Sequence, residues 1–346
     1  MKSNNLLKLN GSVIINLMEM AMYDKLGEAV LKTEERMEVG VITTPDKHHA
    51  EEMQQFLGHK GGNWEWHIER CVTEVLDALE TRFYVGKLDG HVITNIMTVE
   101  HEGVGILGHV FTRPNQRRKG ACKGVMAYQM EDFRQRTGRA LYLGTGYNSH
   151  PYYIYHSFGF ESVYPESGFM KYYVGEDFEE RYFAPAPTQP KPVEWHDWPK
   201  VTALSGIVGW DALRSLKWSV YGPTNMEGGF LGFKHDLETE DVYEDTKLLT
   251  SSDGAIVGWA TVSRDERWQP ATAVLDLFFH PNFADDVPTL LSAVKFPELK
   301  IQCYVDSSAK KKASVLEASG FTCEGQLKNQ FAYNGQHYDV LVFARQ

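Results

Sequence analysis

The chain has 346 residues, long for a single core, and its 42% hydrophobic and 12% aromatic content is ample for two globular domains. Acidic residues number 46 against 35 basic ones, a formal net charge of −11, which argues against a general nucleic-acid binder, because such affinity rests on neutralising phosphates. Four scattered cysteines, Cys71, Cys122, Cys303 and Cys323, suggest neither a disulfide framework nor a zinc site, and no apolar run is long enough to span a bilayer; a reducing compartment, the cytoplasm, is expected, with no metal and no membrane.

In chain order, residues 1–35 read as an N-terminal extension. It holds a hairpin candidate around Asn10-Gly11 and helical spacing from Met18 to Leu31. Met37–Ile42 alternates like a strand. Asp46–Lys60 and Trp64–Glu80 have helical spacing, the second with Ile68, Cys71, Val72, Val75, Leu76 and Leu79 on one face. Strands Arg82–Leu88 and His91–Glu100 are joined by Asp89-Gly90, and Val104–Thr112 is a third. The run Arg117-Arg118-Lys119-Gly120-Ala121-Cys122-Lys123-Gly124 then leads into a helix to Gln135. A basic, glycine-bearing turn at a helix N-terminus suits phosphate oxygens, although many charge runs are simply solvated faces. Strand Ala140–Gly146, a short helix Pro151–Ser157 and strand Met170–Val174 complete the first part.

Four prolines between Phe183 and Pro192 predict an extended linker. The expected organisation is therefore a domain at 36–183, a linker at 184–193 and a second domain at 194–346. In the second part Trp195–Trp218 reads as helical, followed by a glycine- and aromatic-rich loop through Phe233. The first pattern then recurs. Asp253-Gly254 joins two strands, Ala273–Phe279 ends in His280-Pro281 as Val104–Thr112 ends in Arg113-Pro114, and Gly320-Phe321 mirrors Gly159-Phe160. Pro114 and Phe160 are 46 positions apart and Pro281 and Phe321 are 40 apart. The deficit falls where the basic turn would be, and Asp285 and Asp286 stand in its place. The second copy is thus expected to keep the shape and lose an anionic ligand.

The first part resembles the GNAT superfamily of N-acyltransferases. The resemblance rests on Arg117-Arg118-Lys119-Gly120-Ala121-Cys122, similar to the family's Arg/Gln-x-x-Gly-x-Gly/Ala with Cys122 in the last place. Asn148 and Tyr155-His156-Ser157-Phe158-Gly159-Phe160 follow in the family's order. It implies an α/β (α+β) fold of two tandem GNAT-like domains, each a mixed, mostly antiparallel splayed sheet flanked by helices. It also implies acetyl-CoA, or another acyl-CoA, as donor. The amides of Arg118, Lys119, Gly120, Ala121, Cys122 and Lys123 would hold the pyrophosphate beside the Arg117 cation, and the backbone of Phe111 and Thr112 would pair with the pantetheine arm. Asn148 would contact the same arm, and Tyr155 would protonate the leaving thiolate.

The acceptor is expected to be a small-molecule or peptide amine, with a homodimer left open. Candidates for the general base are His109, on the strand before the turn, then Glu100, His101 and Glu102, then Glu65, His67 and Glu69, or a water relay. The aromatic and acidic cluster Trp64-Glu65-Trp66-His67 would suit a cationic substrate as readily as internal packing. A CoA-binding sensor, or a decarboxylase or hydrolase on the same fold, are the alternatives to acyl transfer.

Overall fold

The computed structural model describes residues 23–239, 242–268 and 271–346. The hairpin expected around Asn10-Gly11 lies outside these residues. The protein is a mixed α/β structure with two large sheets and divides into two compact units. One holds residues up to Leu141 together with Ile154–Gly159, and the other holds Tyr142–Tyr153 with Phe160–Gln346. No described helix is long and apolar enough to cross a membrane.

The first unit is built on an antiparallel sheet. Strands β1 (Tyr23–Val30), β2 (Arg36–Thr43), β3 (Glu80–Leu88), β4 (His91–His101) and β5 (Val104–Thr112) follow one another in space as in sequence. Helices α1 (Ala50–Leu57) and α2 (Gly62–Thr73) come between β2 and β3, and α3 (Ala121–Gln135) follows β5. Both sheet faces are covered, so β4 is buried from Val92 to Glu100 and its sequence is nearly continuous in apolar and small polar residues. Helix α3 buries Val125, Met126, Met130 and Phe133, each at 0% exposure. Side chains of this size contribute about 1.5–3 kcal/mol apiece. Its C-terminal end is fixed by Arg136, which pairs with Glu100 at 3.0 Å and Asp132 at 2.8 Å.

Two expectations change here. Residues 23–30, taken as helical and as part of an extension, form β1 and belong to the sheet, so the first domain begins before residue 36. Long-range contact decides this: the Tyr128 hydroxyl on α3 donates to Glu28 O at 2.9 Å and accepts from Glu28 N at 3.2 Å. The second helix also stops at Thr73. Leu76 and Leu79 are buried without being helical, which prolongs the apolar period past the helix end, while Val75 is 56% exposed.

The second unit includes most of β6 (Ala140–Gly144), the first part of α4 (His150–His156), β7 (Glu161–Ser162), β8 (Phe169–Tyr173) and α5 (Phe178–Tyr182). Its sheet is formed by β9 (Thr188–Lys191), β12 (Tyr243–Ser251), β13 (Ile256–Arg264), β14 (Thr272–Phe279), β15 (Lys300–Asp306), β17 (Gln336–Arg345) and β16 (Thr322–Tyr333), in that spatial order. The elements α6 (Trp198–Ser205), β10 (Leu213–Ser215), β11 (Val220–Tyr221) and α7 (Glu227–Thr239) precede β12, while α8 (Val287–Ala293) and α9 (Lys310–Ala318) flank β15.

The proline-rich stretch is not simply a linker. Thr188–Lys191 pairs with β12 as β9, and an edge strand tolerates proline because its outward N–H positions need no partner. The compact units also divide elsewhere than expected at 184–193. Inside the second unit, Phe183 stacks on His280 at 4.6 Å and Asn282 Nδ2 donates to Phe183 O at 2.9 Å. Residues 227–233, expected as loop, open α7 despite Gly228-Gly229, because Phe230, Leu231 and Phe233 are buried. The helix expected across Trp195–Trp218 ends at Ser205.

Candidate active site

Strand β5 is regular until His109, which has φ 47°. Asn95 pairs with Phe111 and Met97 with Gly108, so His109 and Val110 together oppose Ile96. This is a β-bulge, and it shifts the register before pairing resumes at Phe111 and Thr112. Asn95 Nδ2 donates to the His109 carbonyl at 3.1 Å. Beyond the bulge, Thr94 Oγ1 reaches Thr112 Oγ1 at 2.7 Å and Phe111 O at 3.2 Å.

The strand leads through Arg113-Pro114 and a single 3₁₀ turn, Pro114–Gln116, into the basic segment. Arg118 has φ 64° and Gly120 φ 93°, two left-handed residues flanking Lys119. The helix begins at Ala121 with Gly120 as its N-cap, and no side chain caps it. The first amides of a 15-residue helix are thus left to solvent or ligand. A Cβ on Gly120 would meet nothing closer than Lys32 Cγ at 4.0 Å. Its glycine therefore serves the backbone angle and leaves the cradle open. The β1–β2 connection braces the turn through Lys32 N to Lys119 O at 2.9 Å.

The cations of this segment are placed differently. Arg117 Nε donates to Thr112 O at 3.1 Å. Lys119 Nζ donates to Gln116 Oε1 at 2.8 Å and lies 3.8 Å from Glu35. Arg118 and Lys123 are exposed, and among the described residues neither side chain has an ion pair or hydrogen bond. They are the two cations most available to an anion at the helix start. Cys122 is half-buried and its thiol is pushed up to about 11 by burial, so it is a protonated thiol at neutral pH and a poor nucleophile.

Helices α1 and α2 cover the face of β5 that His109 and Phe111 share. The Phe111 ring meets Phe56 at 5.2 Å and His59 at 4.1 Å, and Trp64 meets His109 edge-on at 4.8 Å. His109 is 5% exposed and its Nε2 has no hydrogen-bond partner; Asn95, 0% exposed, has an unpartnered Oδ1. Burial holds the His109 imidazole well below its ordinary range, and the nearby His67, Lys60 and His59 push it the same way. His67 is held down to about 3 by burial, with Arg70 adding to it. Both rings are neutral at pH 7. The expected aromatic and acidic wall resolves by helix face: Trp64 and His67 point inward, while Glu65 and Glu69 are exposed.

Tyr155 is 6% exposed in the last turn of α4 and falls in the first unit, with Phe111, Thr112 and the basic turn. Asn148 falls in the second unit. It is exposed, with φ 58°, and its Oδ1 accepts from the Tyr153 hydroxyl. Of the other base candidates, Glu100 is buried against Arg136 and Thr98 Oγ1. Sequence reading missed Asn95, because its role depends on cross-strand register with β5. It also passed over His59 and Lys60, which look like an ordinary helix-end pair. Glu194, His196 and Asp197 come close enough together to ligate a cation, but Lys191 Nζ already lies 2.8 Å from Glu194 and 3.0 Å from Asp197.

No protein-family description matches this sequence, and neither does any curated protein. Solved structures similar to it include spermidine N-acetyltransferase from Vibrio cholerae in complex with CoA and spermine, at 16% identity over 46% of this chain and 94% of that one, TM-score 0.35. Ribosomal-protein-S5-alanine acetyltransferase from Vibrio fischeri is similar at 15% identity over 47% of this chain and 94% of that one, TM-score 0.36.

Proposed function

We propose that the protein is an acyl-CoA-dependent N-acyltransferase, with acetyl-CoA as donor and an amine as acceptor. One observation carries the reading: the two left-handed residues Arg118 and Gly120 end the turn after β5 and leave the start of α3 uncapped, beside the available cations Arg118 and Lys123. Backbone N–H groups, the positive helix end and two cations together suit a pyrophosphate. The His109 bulge turns the end of β5, and the donor arm would lie alongside that end.

In the transfer itself the amine nitrogen bonds to the thioester carbonyl carbon as the C–S bond breaks. The thiolate leaves as a thiol with the Tyr155 phenol proton, while the nitrogen loses a proton to water as the amide forms, and water returns a proton to the tyrosinate. An acceptor arriving as ammonium first loses its extra proton to water. The neutral His109 Nε2 accepts a hydrogen bond from the amine, and its depressed basicity makes it a poor proton store.

The test is release of free thiol from acetyl-CoA in the presence of a panel of primary amines. Amine-dependent release, with an acetylated product of matching mass, supports transfer. Release without amine would point to hydrolysis, and CoA binding with no release under any amine would point to a sensor.

A further inference from the structure

The acceptor side of the first unit has a charge pattern of its own. In a chain of net charge −11, the surroundings of the bulge are aromatic and cationic. His59 lies on Phe111, the Arg113 guanidinium lies 5.1 Å over the Phe56 ring, and the Arg117 guanidinium lies 5.8 Å over Phe111. Of the groups that act on His109, Lys60 carries a positive charge, while His67 is a neutral buried ring. Among the carboxylates of the same helices, Glu65 and Glu69 are exposed on the outer face of α2. Glu52 lies at Val92, accepting from its N at 3.2 Å, and the Val92 carbonyl accepts from Arg113 Nε at 2.8 Å.

Below these cations lie two buried polar atoms without hydrogen-bond partners, Asn95 Oδ1 and His109 Nε2. Asn95 and Phe111 are cross-strand partners, so they share the face covered by α1 and α2. An amide oxygen can only accept, and a neutral imidazole has one accepting nitrogen. Leaving both unmet in a dry site costs stability, and an amine with N–H donors would satisfy both.

We propose that the acceptor is an amine bearing a carboxylate, of the amino-acid type, whose nitrogen is received by Asn95 Oδ1 and His109 Nε2 and whose carboxylate faces Lys60 and Arg113. The proposal rests on the acyl-transfer reading for the reaction, and adds that polycationic amines are poor acceptors. Gly61 and Gly62, both left-handed at φ 66° and 55°, link α1 to α2 beside Lys60. A side chain at either would meet nothing within 4 Å, so this connection has room to adjust around an acceptor.

The experiment compares matched acceptors that differ only by the carboxylate: alanine with ethylamine, leucine with isoamylamine, phenylalanine with phenethylamine, plus spermidine. Both thiol release from acetyl-CoA and calorimetric binding to the CoA-loaded protein are measured. The acid-bearing member of the best pair is expected to win by about tenfold or more in kcat/KM and in Kd, as for a charge-assisted contact. Lys60→Glu with Arg113→Glu is expected to reverse that preference; Lys60→Gln with Arg113→Gln, which adds no new charge, abolishes it. Preference for the plain amine or spermidine, an unchanged ratio in these variants, or no binding by any pair overturns the proposal. Transfer to plain amines in preference would refute the acceptor class and leave acyl transfer standing. Absence of thiol release with every amine would remove acyl transfer, and calorimetry alone would then decide the charge preference.

Discussion

Strands β5 and β14 leave their sheets in the same way and then part company. Each ends in X-Pro and a 3₁₀ turn, Pro114–Gln116 after β5 and Pro281–Asp286 after β14. The first goes on to a left-handed basic turn and the uncapped 15-residue α3; the second goes directly into the seven-residue α8 with Asp286 at its N-cap. A carboxylate there repels the anion that Arg118 and Lys123 would attract. The strands differ as well. β5 is bulged at His109, whereas β14 pairs with β13 in unbroken register from Ala273 to Phe279.

The space beside β14 has also been put to another use. β14 and β15 run parallel but pair only over Thr272–Val274. Beyond that, the segment around β10 is bonded to both. Asp276 on β14 accepts from Leu216 N at 2.6 Å and Lys217 N at 3.1 Å, and Asp306 on β15 accepts from Leu213 N at 3.1 Å. Lys312 Nζ closes the group by donating to Leu213 O at 3.3 Å. The comparison teaches that a shared sheet does not make a shared site. The bulge and turn leave the start of α3 uncapped, while buried carboxylates tie the segment around β10 to β14 and β15.

The largest effect should come from breaking that tie. Lys312 is 1% exposed and lies 3.7 Å from Asp211. Lys312→Met leaves buried carboxylates without their cation and should cost about 3–5 kcal/mol in urea unfolding, while CoA affinity of the folded protein stays unchanged. A loss below about 1 kcal/mol would mean that the segment is held by packing alone. Next, on the catalytic side, Tyr155→Phe should lower kcat about a hundredfold with little change in CoA affinity, the magnitude of a lost general acid. Unchanged turnover would remove its role.

A smaller effect separates the units by pH. The folded-state pKa of His67 is depressed to about 3 and that of His109 is depressed too, so only the unfolded chain takes up these protons just below pH 6.5. The His67 contribution is fully present above about pH 6.5 and is lost as pH falls toward 3, and the His109 contribution is lost in the same direction. Asp211 acts in the opposite sense. Burial raises its carboxyl to about 6, so the folded state holds that proton between about pH 4 and 6, and stability rises as pH falls through this window. His67→Leu should flatten the acid slope; an unaltered slope would place the titration elsewhere.

Much of the backbone of the first candidate site was legible because it is local. Val104–Thr112, Arg113-Pro114 and Gly120 specify strand, stop and turn within a few residues, and the strand fell at the expected positions. The bulge was not legible, since it is a property of the register between β4 and β5. Strand β1 was hidden because half its residues face solvent, and its place depends on Tyr128, a hundred residues away. β9 was hidden by prolines, which read as linker until an edge position explains them. In the second unit the two aspartates after Pro281 were visible, but the segment 213–217 held by Asp276 and Asp306 was not, because those bonds span 60 and 93 residues.

The most direct measurement of the central contrast is calorimetric titration of acetyl-CoA into the full chain, repeated with Arg118→Glu/Lys123→Glu and with Asp285→Lys/Asp286→Lys. One donor site per chain is predicted. The first variant should weaken it by about a hundredfold, in line with two lost charge-assisted contacts, and the second should add none. Two sites in the parent protein, or undiminished binding after both cations are reversed, would contradict the account.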